Sequence, residues 1–115
     1  MSKLYDLEER TYQFAKDIRL FVKTLNSNIA NIEDAKQVVR SSGSIGANYI
    51  EANESLSKKD FIYRVKISRK EAKESVFWLR LIVDTNELSN NQKVKNLIQE
   101  AIELKKILSA ILGKS

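Results

Sequence analysis

The sequence predicts an all-α protein, an antiparallel up-down-up-down four-helix bundle that forms a single domain over residues 1–115. Apolar or small residues recur every three or four positions in four separate runs, so each run draws one stripe along a helix that must be buried. Proline is absent and there are three glycines, so little interrupts the helices. The links between the runs are short, which favours antiparallel neighbours.

The first helix is predicted over residues 4–25, and the polar residues 26–28 end it because Asn and Ser favour turns. Its stripe consists of Leu4, Leu7, Thr11, Phe14, Ile18, Phe21 and Leu25. The second helix is predicted from near Ile32 to about Ser55. Its stripe consists of Ala35, Val38, Ser42, Ile45, Tyr49, Ala52 and Leu56.

The centre of the second helix, residues 40–47, is rich in small residues. Two glycines there each cost a helix about 1 kcal/mol relative to alanine, so the local composition is that of a loop. The stripe nevertheless continues through the segment in register, which predicts an uninterrupted helix. We expect four small residues to pack against a close helix, either within the bundle or of another subunit, namely Ser42, Gly43, Gly46 and Ala47.

A cap at Ser57, with Asp60 at its third position, is predicted to start the third helix, which runs to about Asp84. Its stripe consists of Phe61, Val65, Ser68, Ala72, Ser75, Leu79 and Ile82. After a turn at residues 86–91, residues 89–92 have the pattern of a second capping box, and the fourth helix ends at Leu112 before a stop at Gly113. Its stripe consists of Val94, Leu97, Ala101, Leu104, Leu108 and Ile111.

The composition argues against an enzyme. With no histidine and no cysteine, the chain lacks the residues for a Ser-His-Asp triad, an imidazole or thiolate metal site and a disulfide. We expect no catalytic residue, no metal and no cofactor, and we interpret the carboxylates of Glu51 and Glu54 as solvated surface. The absence of cysteine, of a signal-peptide pattern and of a membrane span predicts a cytoplasmic protein with no membrane partner.

The third helix carries a basic stripe. One heptad position is occupied by Lys59, Lys66, Lys73 and Arg80, and Lys58, Arg69 and Lys70 lie beside it. The net charge of +5 fits a polyanion-binding surface. One interpretation is ordinary solvated lysines paired with Glu71, Glu74 or Asp60. The other is a face that binds the backbone of RNA or DNA.

The same helix carries an outward apolar row. Beside the stripe, at heptad positions that point away from the core, lie Tyr63, Ile67, Phe77 and Leu81, with part of Trp78. Contiguous apolar patches usually mark an interface, so we expect burial between subunits of a homo-oligomer. The alternative is that a loop or a tilted helix of the same chain covers them.

Residues 37–81 closely resemble the four-helix bundle proteins encoded in intervening sequences of bacterial 23S rRNA genes. The segment SIGANYIE, residues 44–51, matches the family's SI-x-AN-x-x-E signature, although Gly46 stands where many members have proline and Ala52 where many have glycine. The resemblance implies a left-handed bundle that assembles into a ring, commonly a pentamer, with no established enzymatic activity. A related branch, the accessory variability determinant proteins of diversity-generating retroelements, pairs with a reverse transcriptase and its RNA, and so suggests such a protein partner and a nucleic acid.

The function expected from the sequence is therefore non-enzymatic binding by a homo-oligomeric bundle whose basic face contacts RNA or DNA. The alternative is a protein-interaction adaptor, or scaffold, that has no nucleic-acid ligand.

Overall fold

The computed structural model describes residues 4–114 and the side chains of residues 7–114. It contains four helices, α1 (Leu4–Val22), α2 (Ile29–Asn53), α3 (Lys58–Thr85) and α4 (Gln92–Gly113), and the described residues form no strand. The all-α fold class is confirmed.

Each helix packs against the two helices next to it in a closed square, and the described residues show no diagonal packing. Residue pairs at the α1–α2 seam run in opposite directions, since Glu8 meets Asn53 and Arg19 meets Val39. The α2–α3 seam is the most extensive, and the α1–α4 seam is the least extensive. The bidentate ion pair between Arg10 and Glu100, at 2.6 and 2.7 Å, bridges this weakest seam. The left-handedness implied by the resemblance stays a prediction.

The predicted stripes form the core. Buried residues from all four helices make one cluster, which includes Phe14, Ile45, Leu79 and Leu104. Two ends of the stripes were predicted wrongly. Leu25 lies beyond the end of α1 and is only half-buried, and Leu56 lies in the α2–α3 link, where it is fully exposed because the helical register has already ended. The side chain of Leu4 lies outside the described part.

Local caps set the helix starts. Asn28 accepts a hydrogen bond from the Asn31 backbone N–H at 2.8 Å, so α2 begins three residues before the predicted Ile32. The Ser57 cap is confirmed, because its side chain accepts from the Asp60 N–H at 3.1 Å.

Two predicted signals at the ends of α4 were wrong. The capping box at residues 89–92 does not form, because the Asn91 side chain takes the N-cap position and accepts from the Val94 N–H at 3.0 Å. Gly113 is not a stop in the left-handed region. It is the last residue of α4, and Lys114 is the C-cap.

The turn after α3 uses a strained residue. Glu87 has a φ of 54°, in the left-handed region that favours glycine. The Leu88 N–H donates to the Val83 carbonyl at 3.1 Å, which is the six-to-one bond of a Schellman motif. Leu88 and Val83 both pack against the core, so this hydrophobic contact holds the turn despite the strain.

The small residues of α2 lie where neighbouring helices come close. The segment 40–47 is helical throughout, as predicted. A Cβ atom at Gly46 would lie 2.8 Å from Thr11 Oγ1 and 3.1 Å from Thr11 Cβ, so α1 crosses α2 at this point. Ser42 is also buried, and Gly43 lies under the guanidinium of Arg19. Ala47 is exposed, so its predicted packing against a helix of the same chain is wrong.

Hydroxyl groups join α2 and α3 at their close seam. Ser41 and Ser75 share a buried hydrogen bond of 2.8 Å between their Oγ atoms, and Ser68 donates to the Ile45 carbonyl at 2.7 Å. Buried polar groups with partners carry little penalty, so these serines allow close backbones without unsatisfied groups.

Candidate nucleic-acid interface

The basic stripe is a continuous feature of the surface of α3. Lys59, Lys66, Lys73 and Arg80 are all exposed. Successive members are seven residues apart, which is about 10 Å along the axis, and the whole row extends about 32 Å. Of the three flanking cations, Lys58 and Lys70 are exposed and Arg69 is half-buried.

The acidic residues proposed to neutralise the stripe form no ion pair with it in the described residues. Arg40 of α2 takes two of them, with Nη1 3.2 Å from Glu71 Oε1 and Nη2 donating to Glu74 Oε1 at 3.0 Å. Asp60 forms no ion pair with a described residue. None of the seven predicted cations forms an ion pair within residues 7–114. The pairing that the sequence suggested for these lysines is therefore wrong.

Helix α4 adds cations that sequence reasoning missed. Lys105 and Lys106 face α3 across a surface groove of about 800 Å³, which Lys70, Lys73 and Arg80 also line. Of the α4 pair, Lys106 lies 3.7 Å from Glu103; the Lys106 side chain is largely exposed and the Glu103 side chain is partly exposed. The sequence shows two adjacent lysines after the core position Leu104, but only the packing of the helices shows that these lysines face α3.

The N-terminal end of α3 has the same sign of charge. Lys58 and Lys59 occupy its first turn, where the free backbone N–H groups carry a partial positive charge. A cation there is unfavourable for the helix itself, and Asp60 is the acidic residue of that turn. The positive potential of the stripe thus extends to the end of the helix.

The outward apolar row is exposed in the single chain. Tyr63, Phe77 and Leu81 are 59%, 54% and 36% exposed, while Ile67 and Trp78 are half-buried. The expectation that a loop of the same chain covers the row is wrong for Tyr63 and Phe77. Among the five residues of the row, Phe77 alone lines the basic groove, so it shares a surface with Lys73 and Arg80.

The ion pair of Arg40 with Glu71 is structural and was not predicted. Glu71 is buried, and its Oε2 accepts from Arg40 Nη1 at 3.4 Å. The hydrogen bond to Glu71 raises the pKa of the Arg40 guanidinium above its usual value, against an opposing effect of burial. Arg40 thus pairs with both Glu71 and Glu74 across the α2–α3 seam.

The described residues form neither a metal site nor a membrane span. Within residues 7–114, no three acidic side chains lie close enough together to hold a metal ion. No helix of the described chain is long and apolar enough to cross a membrane.

Comparison with known proteins identifies the family. The family model of the 23S rRNA-intervening sequence protein matches residues 5–110. A solved structure, described as a protein of unknown function of the S23 ribosomal protein family from Bacteroides thetaiotaomicron VPI-5482, superposes with a TM-score of 0.80 at 29% identity, covering 92% of this chain and 97% of that chain. The comparison with curated proteins gave no match. The chain belongs to the 23S rRNA-intervening sequence protein family.

Proposed function

We propose that this protein is a non-enzymatic, homo-oligomeric four-helix bundle of the cytoplasm that binds the backbone of RNA or DNA through the basic stripe of α3. The observation that supports the proposal most strongly is the absence of ion pairs at all seven predicted cations within the described residues. Because no described acid neutralises them, their charge is available to a polyanion.

The expected contact is electrostatic. Each phosphate that a lysine neutralises releases condensed counterions, which supplies affinity that falls as salt rises. Lysine is a flexible point charge, and such contacts position a backbone without reading bases. Binding through the stripe should therefore tolerate many sequences.

Oligomerisation would place one copy of the basic stripe on each subunit of the particle. The exposure of Tyr63 and Leu81 supports an interface between copies of the chain, and the resemblance implies a ring, commonly of five subunits. A ring that repeats a weak site around one particle raises the effective concentration of the second and later contacts, so avidity compensates for weak single sites.

The second candidate is a protein-interaction adaptor. The exposed apolar surface at Tyr63 and Leu81 favours it, because such a surface would also fit a protein partner. Under this hypothesis the lysines act only as solubilising charges, and polyanion binding is absent.

A titration of fluorescently labelled random-sequence RNA, followed by anisotropy at about 50 and 200 mM salt, tests the proposal. The test variant is Lys66→Glu with Lys73→Glu. The matched control is Lys16→Glu with Lys23→Glu on the α1 side of the bundle, which changes the net charge by the same amount, from +5 to +1. Helix α1 does not pack against α3 in the described residues, so the control leaves the stripe intact.

Wild-type protein should bind with an affinity that drops steeply between the two salt concentrations, and the stripe variant should bind all sequences more weakly with a flatter salt dependence. The control should stay close to wild type. No binding by wild type at low salt, or an equal loss in both variants, would reject the stripe and place the adaptor hypothesis first.

A further inference from the structure

The basic groove between α3 and α4 has an apolar floor. Val76 and Phe77 of α3 and Ile102 of α4 form this floor, and the cations Lys70, Lys73, Arg80, Lys105 and Lys106 stand around it. We propose that the groove binds single-stranded nucleic acid, with one base stacked on the ring of Phe77 and the neighbouring phosphates held by these cations. The proposal rests on the polyanion binding proposed above and specifies its ligand.

Phe77 has the properties of a stacking platform. Its side chain is 54% exposed although it lies between two packed helices, so part of the ring faces solvent inside the groove. Trp78 contacts it edge to face, with ring centroids 5.0 Å apart and an interplanar angle of 81°. This contact restricts the ring, so less ordering is left for a ligand to impose.

The charges around the floor match a phosphate backbone. Five cations line the groove, and Glu74, the acidic residue of its lining, forms an ion pair with Arg40. The row on α3 continues past the groove through Lys66 to Lys59, which makes a track of about 32 Å. A regular row of cations of that length suits a repeating polyanion better than a short acidic peptide, whose carboxylates have no such continuous spacing.

The combination of an apolar floor with this charge favours single strands over a duplex. In a duplex the faces of the bases are covered by their neighbours, so only the phosphates could use the groove. In a single strand the base faces are free, and stacking on an aromatic side chain adds to the phosphate contacts without demanding a sequence. Phe77 would thereby be useful only to an unpaired strand.

Binding can be followed inside the groove itself. Trp78 is the single tryptophan of the chain and lies against Phe77. A base that stacks on Phe77 should change Trp78 emission, whereas a duplex held by the lysines alone should leave it nearly unchanged.

The experiment compares labelled oligouridylate with an RNA duplex of the same length, by anisotropy and by Trp78 emission. The test variant is Phe77→Leu, which keeps an apolar side chain but removes the aromatic face. Phe77→Tyr should restore binding, and Tyr12→Leu removes an exposed aromatic of α1 that does not line the groove. Circular dichroism and light scattering of each variant check that fold and assembly are retained.

The expected result is an affinity for oligouridylate about tenfold lower in Phe77→Leu, with duplex affinity unchanged and with both Phe77→Tyr and Tyr12→Leu close to wild type. Equal affinities of Phe77→Leu and wild type for oligouridylate would overturn the stacking proposal while leaving backbone binding intact. Failure of wild type to bind either RNA, or binding of an oligoglutamate peptide in place of RNA, would overturn both proposals.

Discussion

Replacing Gly46 by alanine should destabilise the bundle, although alanine is the better helix former. The added Cβ would lie 2.8 Å from Thr11 Oγ1 and 3.1 Å from Thr11 Cβ. Thr11 cannot turn away, because it is fully buried, its β-branched side chain is stiff, and its Oγ1 donates to the Glu8 carbonyl at 2.8 Å. The methyl group must therefore push α1 and α2 apart.

Two opposing effects set the magnitude. Alanine should gain about 1 kcal/mol of helix propensity over glycine. Overpacking a well-packed seam costs about 1–3 kcal/mol. We expect a net loss of about 1 kcal/mol in the free energy of unfolding, which lowers Tm by about 4 °C in a domain of this size.

Gly43→Ala is the matched control, since it makes the same change in the same helix one turn away. Its Cβ would meet Arg19 Nη2 at 3.2 Å, the exposed end of a flexible side chain that can move aside. This variant should keep the propensity gain and raise Tm by about 4 °C. Thermal unfolding by circular dichroism, at one fixed protein concentration, compares the two. A rise in Tm for Gly46→Ala equal to that of Gly43→Ala would refute the close approach of α1.

Three further substitutions test other parts of the structure. Glu87→Gly should raise the free energy of unfolding by about 0.5–1 kcal/mol, measured by urea titration, because it relieves the left-handed residue of the α3–α4 turn. Arg40→Met should lower the free energy of unfolding by about 1–2 kcal/mol in the same assay, because buried Glu71 loses its partner. The effect is limited because Arg40 is half-exposed, and an unchanged midpoint would contradict this role. Leu81→Glu should reduce the mass measured by light scattering, whereas Leu20→Glu, a control on α1 that is more exposed than Leu81, should not.

Much of the fold could be predicted from the sequence, because the spacing of apolar residues along the chain indicates which side of each helix is buried. The stripe from Val65 to Ile82 is buried throughout, since a three-or-four spacing specifies one side of a helix whatever that helix packs against. The helix starts were less predictable, because several Asn and Ser residues compete to be the cap. Asn28 caps α2 before its predicted start near Ile32, and Asn91 caps α4 after the predicted box that begins at residue 89.

The candidate site was only partly predictable. The stripe from Lys59 to Arg80 follows from spacing on one helix. Whether the cations of this stripe form ion pairs cannot be predicted from that spacing. It depends on which side of α3 packs against α2, and this packing brings Glu71 to Arg40. The contribution of Lys105 and the position of Phe77 in the groove likewise require the rotation of α3 against α4, which one sequence does not specify.

The central claim is that an oligomeric bundle presents a basic face to RNA, and light scattering coupled to size exclusion tests both parts at once. The protein is measured at micromolar concentration and low salt, alone and with random-sequence RNA. We predict a homo-oligomer alone and a heavier complex with RNA, which is lost for the variant with Lys66→Glu and Lys73→Glu while its own oligomer persists. A wild-type monomer whose mass is unchanged by RNA would contradict the account.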